Sequence, residues 1–498
     1  MYDAVIIGAG TNGLSLALNL AAAGMRTLVV ESERRVGGQA STQQPLLPGF
    51  LVHPHANYLS FQDFIGTRTE PACRAMALPP TRTPIAQHGL CFRDGRPPVI
   101  IHRRDHRKKT RRSLSRYSAG DARAYEECKA RADRLTTTLS RLYFTPPGSA
   151  SFGKYLAKVS EAFDGIVDPR TLARASAREL IDTLFESDEV RTLCYLLATE
   201  FSGDLHEPGG AVGLLGYVFW LLGRRSLPLG GMSSVPQALA EAATAAGVRI
   251  RTEAAVERVL IEDNAVRGIR LRSGEVVEAP VVASSAGYEV HLNELVGREQ
   301  LSPAEAAELS RFENTGATLM GSYAAALREA PRYTSAAHDP AIDECAQTFL
   351  GLDSTREVLD HLEELRAGHL PAPCGPVRLN TLWDPGQAPA GHHVAGADCA
   401  FPDGLDDADL AGVQRSYPAA FLTMWRRYAP NVEDAVLAQR ISLAKNVNRK
   451  MRLREGTGQY RSRVRGMYFC DSSTHPGGGV HGACGANAFH AIMADRTQ

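Results

Sequence analysis

Cysteine is scarce in this chain: there are nine in 498 residues, and none is spaced as CxxC or CxxxxC. That excludes a disulfide-built scaffold and offers no zinc or redox pair, so no metal site is expected and a reducing, cytoplasmic compartment fits best. An excess of one charge is also missing. Lys plus Arg and Asp plus Glu both number 55, which gives a nucleic-acid partner no electrostatic footing. Long apolar runs are absent too, since Ala211 to Gly223 (AVGLLGYVFWLLG) falls well short of the roughly 20 residues that cross a bilayer. The first residues enter a strand directly, without the basic head, long apolar stretch and small-residue cleavage site of a secretory signal.

What is present is an ordinary globular composition, 44% apolar and 22% charged. At roughly 150 residues per domain the length predicts two to four domains or one large composite unit. Asp3 to Ile7 reads as a buried strand, Leu14 to Ala23 as a helix closed by Gly24, and Thr27 to Val30 as a second strand. One βαβ unit therefore fills about the first 32 residues. From Gln62 to Arg224 the pattern is mainly helical, with a break at Thr145-Pro-Pro-Gly148. Ser234-Val-Pro236 then starts a helix through Ala246, followed by short β-rich runs from Val248 to Ser284 that read as a meander appended to a parallel strand. Helical and strand-like runs mix from Tyr288 to Arg440. The end is again ordered: a strand Gly466 to Cys470, a glycine-rich loop Asp471 to Gly482 and a helix Ala483 to Ala494.

Gly8, Gly10 and Gly13 form GxGxxG between the first strand and helix, with Thr11 and Asn12 inside it. Such a turn brings backbone amides and a helix dipole close to a pyrophosphate. Glu31, with Ser32 beside it, lies 31 − 10 = 21 residues after Gly10 at the end of the second strand, where a carboxylate can accept from ribose hydroxyls. Nicotinamide and flavin dinucleotides share this half-site. Gly37-Gly38 and the second glycine-rich strand-loop-helix favour FAD, an extended molecule that needs grip at both ends. At the far end Asp471 can accept from ribityl hydroxyls or help order the pyrophosphate, Gly477, Gly478, Gly479 and Gly482 let the backbone pass the ring with Val480 among the expected contacts, and the following helix presents a positive dipole to reduced flavin.

These residues resemble the phytoene desaturase family of FAD-dependent oxidoreductases, within the amine-oxidase-like superfamily, and especially its phytoene-dehydrogenase-related branch. The likeness rests on Val5 to Gly38, Pro48-Gly-Phe50, Ser118-Ala-Gly-Asp-Ala122, Leu229-Gly-Gly-Met232, the meander through Val256, and Tyr468 to Gly485 with Thr474-His-Pro-Gly-Gly-Gly-Val480. Two departures stand out. The family usually has glycine where Asp471 stands, and Lys445 to Arg465 is shorter than the segment that roofs the substrate cavity in relatives. The resemblance implies an α/β fold: a Rossmann-type FAD-binding domain with parallel sheet and β-meander, carrying an inserted α+β substrate-binding domain. The FAD-binding domain is expected from 1–61, 226–288 and 441–498, and the substrate region from 62–225 and 289–440. It also implies a backbone contact from Val256 to adenine.

No second GxGxxG directly joins a later strand to a helix, the same spacing at Gly477, Gly479 and Gly482 lying within the C-terminal loop, so a dedicated nicotinamide domain is not expected. The chemistry implied is dehydrogenation of an apolar or polycyclic small molecule, by hydride transfer to flavin N5 and reoxidation by oxygen or a quinone-like acceptor. Oxidation of a C–N bond, redox-neutral isomerisation and a catalytically silent flavin module are the alternatives. His53 and His55 follow Pro48-Gly-Phe50, which in relatives lies near the flavin ring, and are the candidate bases; His475 and His481 are expected to fix the C-terminal loop. Ala211 to Gly223 reads as a buried helix, a tunnel wall or a monotopic bilayer contact. The run His102 to Arg116 holds eight Lys/Arg and one Asp. It suits an anionic membrane surface, a phosphate-bearing substrate or an acidic carrier protein, and equally a solvated basic hairpin.

Overall fold

Ala4–Ile7 and Thr27–Val30 are buried at every position, as strands covered on both faces of a parallel sheet must be. In the computed structural model they form the middle of a five-stranded parallel sheet ordered Met467–Phe469, Val282–Ser284, Ala4–Ile7, Thr27–Val30, Arg249–Arg251. The structure describes all residues except 60–78, 167, 169–173, 202–203, 216–218, 315–317, 403, 444–459 and 498. Helix Thr11–Ala22 lies against Ser234–Ala245 and the C-terminal helix Ala483–Arg496. Leu14, Leu16, Leu20, Leu239, Ala488 and Ile492 fill that side. The other side is covered by an antiparallel meander of Val256–Glu262, Ala265–Leu271 and Val276–Glu278. Strands from the first 30 residues, the middle of the chain and its last 32 residues thus share one sheet.

A second, seven-stranded sheet runs Val436–Leu443, Thr318–Leu327, His393–Pro402, Gly375–Arg378, Gln347–Leu350, Ala86–Leu90, Val99–His102. Only the pairing of Gln347–Leu350 with Ala86–Leu90 is parallel. Helix Asp407–Trp425 packs Val413, Tyr417, Phe421 and Trp425 into its core. The helices Ala119–Arg134, Ala177–Leu184 and Asp188–Phe201 share a separate core with Trp220 and Phe163. The motif Ser118-Ala-Gly-Asp-Ala122 joins two of these parts. Ser118 caps its helix by accepting from the Asp121 amide at 3.0 Å, and the buried Asp121 carboxylate accepts from the amides of Glu186 and Ser187.

Several expectations need correction. The stretch 62–224 is not wholly helical, because Ala86–Leu90 and Val99–His102 are strands of the seven-stranded sheet; Gln87 and His88, both buried, hide the apolar run of a core strand. The strand Val436–Leu443 crosses the expected boundary at 440/441. The basic run is no hairpin. It forms a 3-10 turn, Arg104–His106, and a helix, Arg107–Ser115, whose buried face is Thr110, Ser113 and Leu114. Two of those three are hydroxyls serving the neighbouring strand: Thr110 accepts from the His102 amide and Ser113 from the Ile100 amide, both at 2.8 Å. Within Ala211 to Gly223, Ala211, Leu214, Leu215 and Phe219 to Leu222 are all buried, which leaves that part no apolar face for a bilayer. Tyr217 and 445–459 lie outside the described residues. No described helix is long and apolar enough to cross a membrane.

Candidate functional site

The fingerprint loop is held in shape by short-range constraints. Gly37 donates its amide to the Ala9 carbonyl at 2.9 Å, and Gly10 and Gly37 form a bridge, so the two glycine segments lie side by side. Glu31 ties the loop to the second strand: one carboxylate oxygen accepts from the Ala9 amide at 2.7 Å, the other from Ser32 Oγ at 3.1 Å and the Glu33 amide at 3.0 Å. Val256, half-buried, opens the meander two residues beyond Ala254, whose amide donates to the Glu31 carbonyl at 2.8 Å. Ser285, just past the strand Val282–Ser284, donates to the Gly8 carbonyl at 3.1 Å. Sequence reasoning missed Ser285, because nothing in its local pattern marks it.

The loop leaves room for a ligand where the fingerprint predicts one. A Cβ built on Gly13 would lie 2.2 Å from the Gly8 carbonyl oxygen, whereas one built on Gly10 meets nothing within 4 Å. The space beside Gly10 is a cradle that a side chain would fill, at the N-terminus of Thr11–Ala22. Asn12 Oδ1 is buried there with no hydrogen-bond partner among the described residues, a cost of about 1–3 kcal/mol that a ligand donor would relieve. The residues present fit a dinucleotide. Beyond Gly38 a cleft of about 750 Å³ is lined by Arg34, Arg35, Thr42, Gln43, Ser233 and Gln237, among others.

At the far end, the Asp471 carboxylate accepts from the amide and hydroxyl of Ser473, both at 3.0 Å, and so shapes the start of its own loop. Gly478, Gly479 and Val480 follow at the crest, and Val480 packs with Leu59 and Met232. The two loop histidines are structural, as expected. His475 donates through Nε2 to the Leu142 carbonyl at 2.9 Å, and the His475 carbonyl accepts from Tyr460 at 2.6 Å. His481 Nδ1 accepts from the Ala483 amide at 3.0 Å, which leaves Nε2 to donate to the Gly478 carbonyl at 3.3 Å. Asn487, also missed from the sequence, donates to the Tyr143 carbonyl at 3.0 Å and fastens the C-terminal helix to the helical region.

Burial pushes the His481 pKa down to about 4, against about 6.5 for a free imidazole. A depressed histidine gives its full stabilisation above the unfolded value, and that contribution is lost as pH falls from about 6.5 towards 4, where the unfolded chain binds the extra proton. The maximum is about 3 kcal/mol. Burial lowers His53 and His88 in the same direction, so His481 must be isolated by substitution. Melting temperature measured from neutral pH downwards should fall less steeply in His481→Asn than in the parent. Parallel curves would mean His481 titrates normally.

The two candidate bases are placed differently. His53 is buried, and both ring nitrogens are engaged, Nε2 with Gln387 Oε1 at 2.8 Å and Nδ1 with Thr42 Oγ1 at 3.3 Å. Gln387 also donates through Nε2 to Asp384 at 2.9 Å. That fixes its oxygen towards His53, so His53 Nε2 is the donor and Nδ1 accepts. Thr42 in turn accepts from the Ser233 amide at 3.1 Å, so His53 is wired to the turn carrying Leu229-Gly-Gly-Met232. His55 is half-buried, and its carbonyl accepts from Asn57 at 2.7 Å.

Residues 13–318, more than half the chain, match the model of the family described as flavin containing amine oxidoreductase. The chain is 27% identical over 551 residues to pyridine nucleotide-disulfide oxidoreductase domain-containing protein 2 of Rattus norvegicus, covering 99% of this chain and 94% of that one. It is 24% identical over 538 residues to one of the limonene dehydrogenase subunits of Castellaniella defragrans, with the same coverages of 99% and 94%. Among solved structures, a putrescine oxidase triple mutant redesigned for cofactor binding superposes with a TM-score of 0.60 at 16% identity, covering 100% of this chain and 98% of that one. That last likeness is one of fold.

Proposed function

The chain belongs to the flavin-containing amine oxidoreductase family, and from that premise we propose that it is a dehydrogenase of its phytoene-desaturase-like branch. It takes a hydride from carbon in an apolar or polycyclic small molecule and passes the electrons to oxygen or a quinone-like acceptor. FAD is its cofactor, and when bound it supplies N5 as the hydride acceptor. The observation that carries the reading is the two-ended site: one glycine cradle with open space at Gly10, and a second glycine loop on a strand of the same sheet. The limonene dehydrogenase relative, similar along 99% of this chain, supports carbon as the oxidised atom. The family's description keeps C–N oxidation as the second reading.

Each part of the chain has a task in this scheme. The Gly8 to Gly13 loop and the helix behind it hold the pyrophosphate, with Glu31 facing the adenosine ribose and Val256 the adenine. Gly37, Gly38, Asp471, Gly478, Gly479 and Val480 seat the remainder. Tyr143 lies edge-on to His481, ring centroids 5.8 Å apart, and packs on Trp220, which shuts water from one side of the C-terminal loop. His53 positions the Gly230 to Met232 turn: a Cβ on Gly231 would lie 2.7 Å from its ring.

Anaerobic mixing of the yellow protein with candidate donors tests the proposal. Bleaching of the oxidised flavin by a hydrocarbon-like donor, without release of ammonia, is expected. Bleaching by amines alone, with aldehyde and ammonia formed, would make C–N oxidation the function. Flavin inert to every donor would leave a binding module. His53→Ala should slow bleaching while its pH profile keeps its shape; a profile that loses its acid limb would make His53 the base, and the same loss in His55→Ala would assign that role to His55.

A further inference from the structure

One face of the seven-stranded sheet carries a row of buried polar side chains that hydride transfer does not use. Gln347 pairs across the sheet with His88, and Arg378 follows Val377, the partner of Thr348, so Arg378 continues the row beside Gln347. Gln347, His88 and Arg378 are 0%, 1% and 4% exposed respectively. Glu200 gathers the row from above. Its carboxylate accepts from Gln347 Nε2 at 2.8 Å, Arg225 Nη2 at 2.9 Å and the Tyr58 hydroxyl at 3.3 Å. The Arg225 guanidinium, itself buried, lies 3.5 Å from the Tyr58 ring centroid, and Arg378 is paired with Asp398 at 2.8 Å.

Glu200 and Asp398 do not meet the hydrogen-bonding demand of the two arginines. Among the described residues, Arg225 Nε and Nη1 and Arg378 Nε are buried without an acceptor, and Gln347 Oε1, Asn380 Oδ1 and His88 Nδ1 are buried without a partner. Hydrogen bonds to charged groups are worth about 1.5–3 kcal/mol each, and leaving such groups unmet in the interior costs at least as much. So many unmet groups in one place, with no described residue to meet them, mark a site for a partner. The costliest of them are guanidinium donors, so the missing partner is an acceptor. A carboxylate, with two oxygens and about four lone-pair sites, answers the three guanidinium donors; an ammonium group would answer only Gln347 Oε1 and Asn380 Oδ1 and leave the charged donors unmet.

The row also ends in the right place. Tyr58, Glu200 and Asn380 are only partly buried and form its accessible rim. Asn380 donates to the Asn57 carbonyl at 3.2 Å, and Leu59, next to Tyr58, packs on Val480 of the C-terminal loop. We propose that Arg225 and Arg378 recognise a carboxylate on the substrate, which is therefore an apolar body ending in an acid group. The inference rests on the flavin dehydrogenase reading and narrows its substrate class.

Calorimetric titration of the yellow wild-type holoprotein with octanoate, octan-1-ol and octylamine tests it. Octanoate should bind roughly tenfold or more tightly than octan-1-ol, the worth of one charged hydrogen bond, with octylamine weakest. Arg225→Gln should remove that preference while the flavin spectrum stays unchanged. If that variant fails to hold flavin, the wild-type ranking still decides. Equal binding of acid and alcohol, or tighter binding of the amine, overturns the proposal and leaves the flavin reading standing. A wild-type protein that is colourless and cannot be reconstituted with FAD overturns both.

Discussion

Gly10→Val is expected to give a folded, colourless protein. Gly10 has φ −73° and ψ 172°, an extended conformation open to any residue, and its Cβ meets nothing within 4 Å. The chain itself therefore tolerates the side chain, and only the pyrophosphate loses its place. The neighbouring glycines behave otherwise. A Cβ on Gly13 would sit 2.2 Å from the Gly8 carbonyl oxygen, and Gly8, at φ +97°, would bring one to 2.5 Å from Ser285 Oγ. Alanine at Gly13 forces backbone apart, and at Gly8 it takes a left-handed φ and displaces the Ser285 hydroxyl, a strain of about 1–3 kcal/mol or more against a total stability of roughly 5–15 kcal/mol. Visible spectra and circular-dichroism melts separate the cases: Gly10→Val loses the flavin bands and keeps a cooperative transition, and Gly13→Ala melts early with or without added FAD. A Gly10→Val protein that binds FAD like the parent would mean that the cradle does not hold the pyrophosphate.

Gly485→Ala is expected to destabilise the protein although it improves a helix. In an exposed helix interior the change would gain about 1 kcal/mol. Gly485 instead lies where the C-terminal helix touches the first: its Cβ would come within 2.0 Å of the Asn12 carbonyl oxygen and 2.9 Å of the Leu16 amide nitrogen. Both are backbone atoms of Thr11–Ala22 and cannot swing away, so the clash outweighs the propensity. The two helices must separate, and the Asp471 to Gly482 loop moves with the second. A lower melting temperature and weaker FAD retention should appear together. A more stable variant would mean the helices do not approach this closely.

The parts of the site that the sequence disclosed are those dictated by backbone geometry. Gly8, Gly10, Gly13, Gly37, Gly38 and the loop after Phe469 announce themselves because close approach of a backbone requires glycine. The parts that stayed hidden act across long sequence separations. Ser285 serves Gly8 from 277 residues away, and Gln387 fixes His53 from 334. The strands Ala86–Leu90 and Gln347–Leu350 escaped the apolar pattern because His88, Gln87 and Gln347 are buried polar residues of the kind that simple hydrophobic periodicity counts as surface. The basic helix was concealed in the same way, by Thr110 and Ser113 standing where an apolar face would be sought.

The edge strand Met467–Phe469 has a consequence for how the protein is made. It pairs with Val282–Ser284, and the glycine loop and Ala483–Arg496 helix follow it at the end of the chain. A ribosome that has passed Ser284 has made four of the five strands of this sheet and, on the proposed reading, the adenosine half of the site but none of the ring-binding half. Prosthetic-group capture therefore waits for this fifth strand and the loop behind it, and a nonsense codon anywhere before Met467 removes the ring-binding half entirely.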